Sequence, residues 1–105
     1  MENVNTQKLK QLQENGEKLL VDFWAPWCGP CKHLIPRLEI LENKYPNVKF
    51  VKINVDENVD FALDLNIRTV PTVIVYNGKS IVNRSTGVNQ DIVYTNILDN
   101  LWVHK

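Results

Sequence analysis

The stretch Trp24-Ala25-Pro26-Trp27-Cys28-Gly29-Pro30-Cys31-Lys32 holds both cysteines of the chain, three positions apart. An apolar run, Leu19-Leu20-Val21-Asp22-Phe23-Trp24, leads into it and reads as a buried strand. The residues that follow, through Tyr45, read as a helix. Two thiols at i and i+3 at a helix start can close a small disulfide ring without moving the backbone far, which is the chemistry of a reversible dithiol. The spacing alone also fits a structural disulfide, half a zinc site or two unrelated core thiols. A zinc site needs four ligands, and the only histidines are His33, inside the same helix, and His104, near the C-terminus. A haem attachment would want His directly after the second cysteine, where Lys32 stands. No metal and no cofactor are expected.

Outward from this stretch the chain alternates helix and strand. Thr6 is placed to cap a first helix over about Gln7 to Asn15, with Leu9 and Leu12 inward and Gly16 as the stop. The strand Leu19 to Trp24 is apolar on both faces except at Asp22, as suits a central parallel strand covered on both sides. The second helix is expected from about Cys28 to Lys44, carrying Leu34, Leu38 and Leu41 inward and a kinking Pro36. Val48 to Val55 reads as the next strand, with Val51, Ile53 and Val55 on one side. Asp56 or Glu57 is expected to open a short helix with Phe61, Ala62 and Leu65. The loop Ile67-Arg68-Thr69-Val70-Pro71-Thr72 then feeds a strand from Thr72 to Tyr76. Asn77-Gly78 is a two-residue hairpin signal, and the partner strand spans about Lys79 to Ser85. Gly87 ends it. A last helix is expected from Asn89 to about Trp102, with Val93, Ile97 and Leu101 inside. Parallel βαβ units followed by an antiparallel hairpin predict an α/β sandwich, a mixed sheet with helices on both faces.

A chain of 105 residues is one domain by length. Twelve basic and twelve acidic side chains cancel, so net charge offers no surface for nucleic acid. No apolar stretch approaches bilayer length, and no membrane partner is expected. Residues Met1 to Asn5 lack the apolar core of a secretory signal, so a reducing cytoplasm is the expected location. A permanent structural disulfide is unfavourable there, which favours a working dithiol.

The chain resembles thioredoxin over essentially its whole length. Val21 to Lys32 is similar to the family's active-site signature, Pro36 to its helix proline, and Lys52-Ile53-Asn54-Val55-Asp56 to its third-strand segment. Ile67 to Thr72 is similar to the loop whose proline is cis in the family. Asn77-Gly78 and Gly87 fall at its hairpin turn and last-strand glycine. Glu2 to Asn5 can form only a stub of the first strand seen in many relatives. Asn66 and Thr69 stand where many relatives have glycine, and Asn can adopt positive φ more readily than most residues. The resemblance implies a thioredoxin fold over residues 1–105 as a single domain, and a monomer. It also implies reduction of disulfide-containing protein substrates and regeneration by a thioredoxin reductase.

Cys28, at the helix start, is the expected nucleophile, because unpaired N–H groups and the macrodipole there favour a thiolate. Cys31, a turn deeper, is the expected resolving thiol, kept by burial from reacting first. Gly29 and Pro30 set the loop between them, and by resemblance this pair marks a reductant rather than an oxidant or isomerase. Burial of Asp22 should raise its pKa. The resemblance makes it the proton acceptor and donor for Cys31, with Lys52 as its partner. It also sets Trp27, Val70, Pro71 and Gly87 against the substrate. Two alternatives are an oxidant or isomerase on the same fold, and a non-redox binding subunit of a larger enzyme.

Overall fold

The apolar run ending at Trp24 is the middle strand of the sheet in the computed structural model of the chain, which describes residues 1–101. In chain order the elements are β1 (Glu2–Asn3), α1 (Thr6–Glu14), β2 (Lys18–Trp24), α2 (Gly29–Glu42), β3 (Lys49–Asn54), α3 (Val59–Asp64), β4 (Thr72–Asn77), β5 (Ser80–Thr86) and α4 (Asp91–Asn100). The strands lie in the order β1-β3-β2-β4-β5. β3 pairs parallel with β1 and β2, and β4 pairs antiparallel with β2 and β5. The sheet is therefore mixed. The first strand is a stub of two residues, prolonged by Val4 N–H donating to the Lys52 carbonyl at 2.8 Å.

Alternation along β2 divides the core into two layers. Leu19, Val21 and Phe23 join Val51, Ile53, Ile74 and Tyr76 under Leu9 and Leu12 of α1, and the Phe61 ring of α3 lies 6.1 Å from that of Phe23. On the opposite face Leu20 joins Phe50, Val73 and Val75 beneath Leu34, Leu38 and Leu41 of α2 and Tyr94 and Leu98 of α4. Each fully buried leucine contributes about 2 kcal/mol of hydrophobic stabilisation. Both faces of β2 need cover, so α2 must fold back over the sheet directly after β2 ends. That return places the Cys28–Cys31 turn at the carboxyl end of the central strand.

Several expected boundaries shift for local reasons. Asn5, not Thr6, caps α1: the Asn5 Oδ1 accepts the Lys8 N–H at 2.8 Å, and Thr6 is the first helical residue. α2 is shorter than expected at both ends, because Cys28 is its cap and Asn43 closes it. Pro36 lies inside α2 on its exposed side. α3 begins only at Val59, because Asn58 Nδ2 holds the Asn54 carbonyl and Asn54 Oδ1 accepts the Asp56 N–H, which keeps residues 55–58 in turns. Asn77 pairs with Ser80, so the hairpin turn is Gly78-Lys79 rather than Asn77-Gly78. Gly78 has φ of 62°, the positive value that the first central residue of a II′ turn requires. Asn89 does not start α4. Its side chain bonds the Thr86 carbonyl and the Tyr94 hydroxyl instead, and Gln90 takes the cap position. The inner line of α4 is Tyr94, Leu98 and then Leu101, while Val93 and Ile97 are only half-buried. Trp102, the expected end of that helix, lies outside the described residues, as does His104.

Asn5→Ala removes one helix cap and touches no core residue. It should lower unfolding stability by about 1 kcal/mol in urea with an unchanged m-value. A loss under about 0.3 kcal/mol would show that α1 does not depend on this cap.

Candidate active site

β2 delivers the chain to a tight turn in which the Cys28 N–H donates to the Ala25 carbonyl at 3.1 Å. Cys28 is then the N-cap of α2, with φ −86° and ψ 107°, and its sulfur accepts the Cys31 N–H at 3.2 Å. A sulfur here does the work of a capping oxygen. Pro30 fits the first turn because its missing N–H is not needed there. Gly29 has an ordinary φ, and a Cβ added to it would meet nothing within 4 Å. Neither backbone conformation nor space requires glycine at this position.

Cys28 and Cys31 form a disulfide, with Cα atoms 5.4 Å apart. Exposure hardly separates them, at 3% for Cys28 and 1% for Cys31. The expectation that burial keeps Cys31 from reacting first therefore finds no support in the difference in exposure. What distinguishes them is that only the Cys28 sulfur sits on the helix terminus and receives a main-chain N–H.

Asp22 is fully buried, and neither carboxylate oxygen has a hydrogen-bond partner. Burial pushes its pKa from 3.8 up to about 7, against a smaller opposing pull from the Lys52 charge. Asp22 and Lys52 are register partners across β2 and β3, yet the Lys52 ammonium lies 5.2 Å from the centre of the Trp24 ring. Lys52 therefore acts on Asp22 through its field. Asp22 shares a sheet face with Leu20, which packs under Leu34 and Leu38. Cys31 lies one turn before Leu34 on the same inward line of α2.

The peptide bond between Val70 and Pro71 is cis, as the resemblance implied. Val70 packs against the small apolar cluster of Ala25, Cys28 and Cys31. The Gly87 N–H donates to the Pro71 carbonyl at 2.9 Å, so three of the expected substrate-contact residues, Val70, Pro71 and Gly87, are linked through the loop whose Val70 packs on the disulfide cluster. The fourth, Trp27, is 70% exposed, and its indole N–H donates to Asp56 Oδ2 at 3.0 Å. Asp56 does not open a helix, as its sequence context suggests. It holds the indole instead, across 29 positions of sequence that no local pattern bridges. Trp24 is half-buried, its indole N–H donating to Asn3 Oδ1 at 3.1 Å. Lys32 and His33 are exposed. Among the described residues no group of three or more His, Cys, Asp and Glu side chains is placed to hold a metal ion, and no helix is long and apolar enough to cross a membrane.

A dithiol that closes on a helix N-terminus, with a buried carboxyl on the face beneath that helix, can pass two electrons to another disulfide. The fold and site thus define a thiol-disulfide oxidoreductase. Comparison with known proteins narrows the class. The Thioredoxin family model matches residues 2–99, and the chain belongs to the thioredoxin family, whose members are disulfide reductases. It is 35% identical over 95 residues to mitochondrial Thioredoxin-3 of Saccharomyces cerevisiae, covering 90% of this chain and 75% of that one. It is 39% identical over 88 residues to Thioredoxin-2 of the same yeast, covering 83% and 85%. The crystal structure of oxidised Thioredoxin 3 from Saccharomyces cerevisiae superposes with a TM-score of 0.84 at 33% identity, covering 94% of each chain. Chloroplastic thioredoxin z superposes with a TM-score of 0.88 at 30% identity, covering 98% and 95%.

The buried carboxyl makes stability depend on pH in a stated direction. A folded-state pKa raised from 3.8 to about 7 means that the unfolded chain loses its proton first. Stability then falls as pH rises through that window and levels off above it. At ~1.4 kcal/mol per unit the fall attributable to Asp22 is of order 4 kcal/mol. Asp22→Asn should lack this component and be the more stable protein at pH 8. Urea unfolding of both proteins from pH 4 to 9 reads the difference. Curves that run parallel would show that Asp22 ionises freely in the folded state.

Proposed function

We propose that the protein reduces disulfides of protein substrates, with Cys28 as nucleophile, Cys31 as resolving thiol and Asp22 as proton acceptor and donor. The Cys28 thiolate attacks one substrate sulfur. A bond forms between Cys28 and that sulfur, the substrate disulfide breaks, and the other substrate sulfur leaves with the electron pair. Asp22 takes the Cys31 proton, directly or through water. The Cys31 thiolate then attacks the Cys28 sulfur, closes the Cys28–Cys31 bond and expels the second substrate sulfur. Two electrons have passed from the dithiol to the substrate.

The observation that carries the order of attack is the Cys31 N–H bonded to the Cys28 sulfur at the start of α2. The role of Asp22 is supported by its burial without partners and by the shared line of Cys31, Leu34 and Leu38 over its side of the sheet. Lys52 tunes that carboxyl by charge. Gly29 and Pro30 shape the turn between the sulfurs. In this reading Trp27, Val70, Pro71 and Gly87 receive the substrate, supported by the exposure of Trp27 and by the packing of Val70 on the dithiol cluster. Residues 1–105 act as one thioredoxin domain and as a monomer in the cytoplasm, recharged by a thioredoxin reductase.

Cys31→Ser should accumulate substrates as mixed disulfides on Cys28, whereas Cys28→Ser should accumulate none, as read by mass spectrometry of the adducts. Adducts on Cys31 of the Cys28→Ser protein at comparable yield would reverse the assignment. The dithiol should equilibrate with glutathione at a potential of about −270 mV, the value typical of thioredoxin itself. A value between about −120 and −180 mV would make the protein an oxidant or isomerase.

A further inference from the structure

We propose that Arg84 is a positioning residue for substrate binding: from β5 it holds the end of α3 and so sets the loop that carries Val70 and Pro71 to the dithiol. The proposal rests on the reading of that loop as a substrate contact.

α3 is a helix of six residues that ends in a Schellman motif. The Asn66 N–H bonds the Leu63 carbonyl and the Ile67 N–H bonds the Ala62 carbonyl, both at 2.9 Å. The motif needs a left-handed residue after the cap, and Asn66 supplies it with φ of 56°. Asparagine tolerates this region, but at a cost that glycine avoids. Two arginines converge on that residue. Arg68 Nε donates to Asn66 Oδ1 at 3.0 Å, fixing the side chain. Arg84 spreads its planar fork over two consecutive carbonyls, Nη1 donating to Leu65 and Nη2 to Asn66 at 2.7 Å. The Leu65 carbonyl is one left open at the end of the helix, where a cation is favoured, and the Asn66 carbonyl belongs to the left-handed residue just past it. A lysine could not span both in one geometry.

The loop from Ile67 to Pro71 hangs between this anchor and the sheet. At its far end Thr72 Oγ1 donates to the Thr69 carbonyl at 2.7 Å, and the Gly87 N–H donates to the Pro71 carbonyl at 2.9 Å. β5 and the residue after it thus grip the loop at both ends, through Arg84 at one and Gly87 at the other. Arg84 is itself exposed and takes no part in the cluster around the sulfurs, so it acts only through the loop. A loop released at one end must be ordered again each time a substrate docks, which weakens binding without slowing sulfur exchange.

The test compares reduction of insulin, as a protein disulfide, with reduction of a small aromatic disulfide that needs no docking surface. Arg84→Met should raise the KM for insulin roughly three- to tenfold, the scale of re-ordering one loop end on binding, with kcat and the small-disulfide rate held within about twofold. Arg84→Lys should fall between Arg84→Met and the parent. The reduction potential should not move. An unchanged KM for Arg84→Met would overturn the assignment, and so would a loss shared by the small disulfide or a shifted potential. Val70→Asp serves as the reference for the loop. If it raises KM while Arg84→Met does not, only the role of Arg84 fails. If neither raises KM, the loop is not a substrate contact, and the role of Arg84 falls with it.

Discussion

The bond from the Cys31 N–H to the Cys28 sulfur, 3.2 Å long at the first turn of α2, is the contact on which the chemistry depends. It makes the Cys28 sulfur a helix cap, and in the proposed mechanism also the sulfur that carries the charge. A helix must start somewhere, and its first N–H groups have no partners within the helix. Here one of them is directed at the Cys28 sulfur, and in the proposed mechanism that contact lowers the cost of ionising Cys28 after reduction. The packing enforces this arrangement. Leu34, Leu38 and Leu41 must cover Leu20 and Phe50, and that fixes where α2 begins relative to the end of β2.

Asp22 is the electrostatic counterpart. Among the described residues it is the only buried side chain of a charged type, joined by Asn54 and Thr72 among buried polar residues. Its carboxyl lacks any hydrogen bond, and burial pushes its pKa up to about 7. A group that holds its proton at the edge of neutrality can take one from a thiol and return it in the reverse reaction. Keeping it there costs stability above neutral pH, because burial disfavours the carboxylate. Lys52, in register beside it, moderates the shift without neutralising the carboxyl through a direct contact.

Much of this is legible in the sequence, because short-range patterns carry it. The apolar run through Phe23 marks the central strand, and the cysteine spacing marks the helix start that follows it. Asp22 is visible as a charge amid residues that have to be buried. The hairpin is visible too, but its register depends on which residues pair across it, and Asn77 pairs instead of turning. Two of the three inner positions of α4 lie one residue from those its aliphatic spacing suggests, Tyr94 and Leu98 in place of Val93 and Ile97, because Tyr94 looks amphipathic in sequence and is fully buried in the fold. Asp56 and Arg84 leave no signal. Their partners, Trp27 and the residues at the end of α3, lie 29 and about 18 positions away and meet them only once the sheet has formed. Contacts made by side-chain reach across elements have no periodicity to betray them.

The most direct measurement is the pH dependence of alkylation of the fully reduced protein by iodoacetamide, with the modified cysteine identified by mass spectrometry at each pH. If the start of α2 stabilises the thiolate, Cys28 is modified first at every pH, with a pKa below the ~8.5 of a free cysteine, and Cys31 follows only at higher pH. A Cys28 pKa at or above ~8.5, or first modification at Cys31, would contradict the claim that the helix terminus selects the nucleophile.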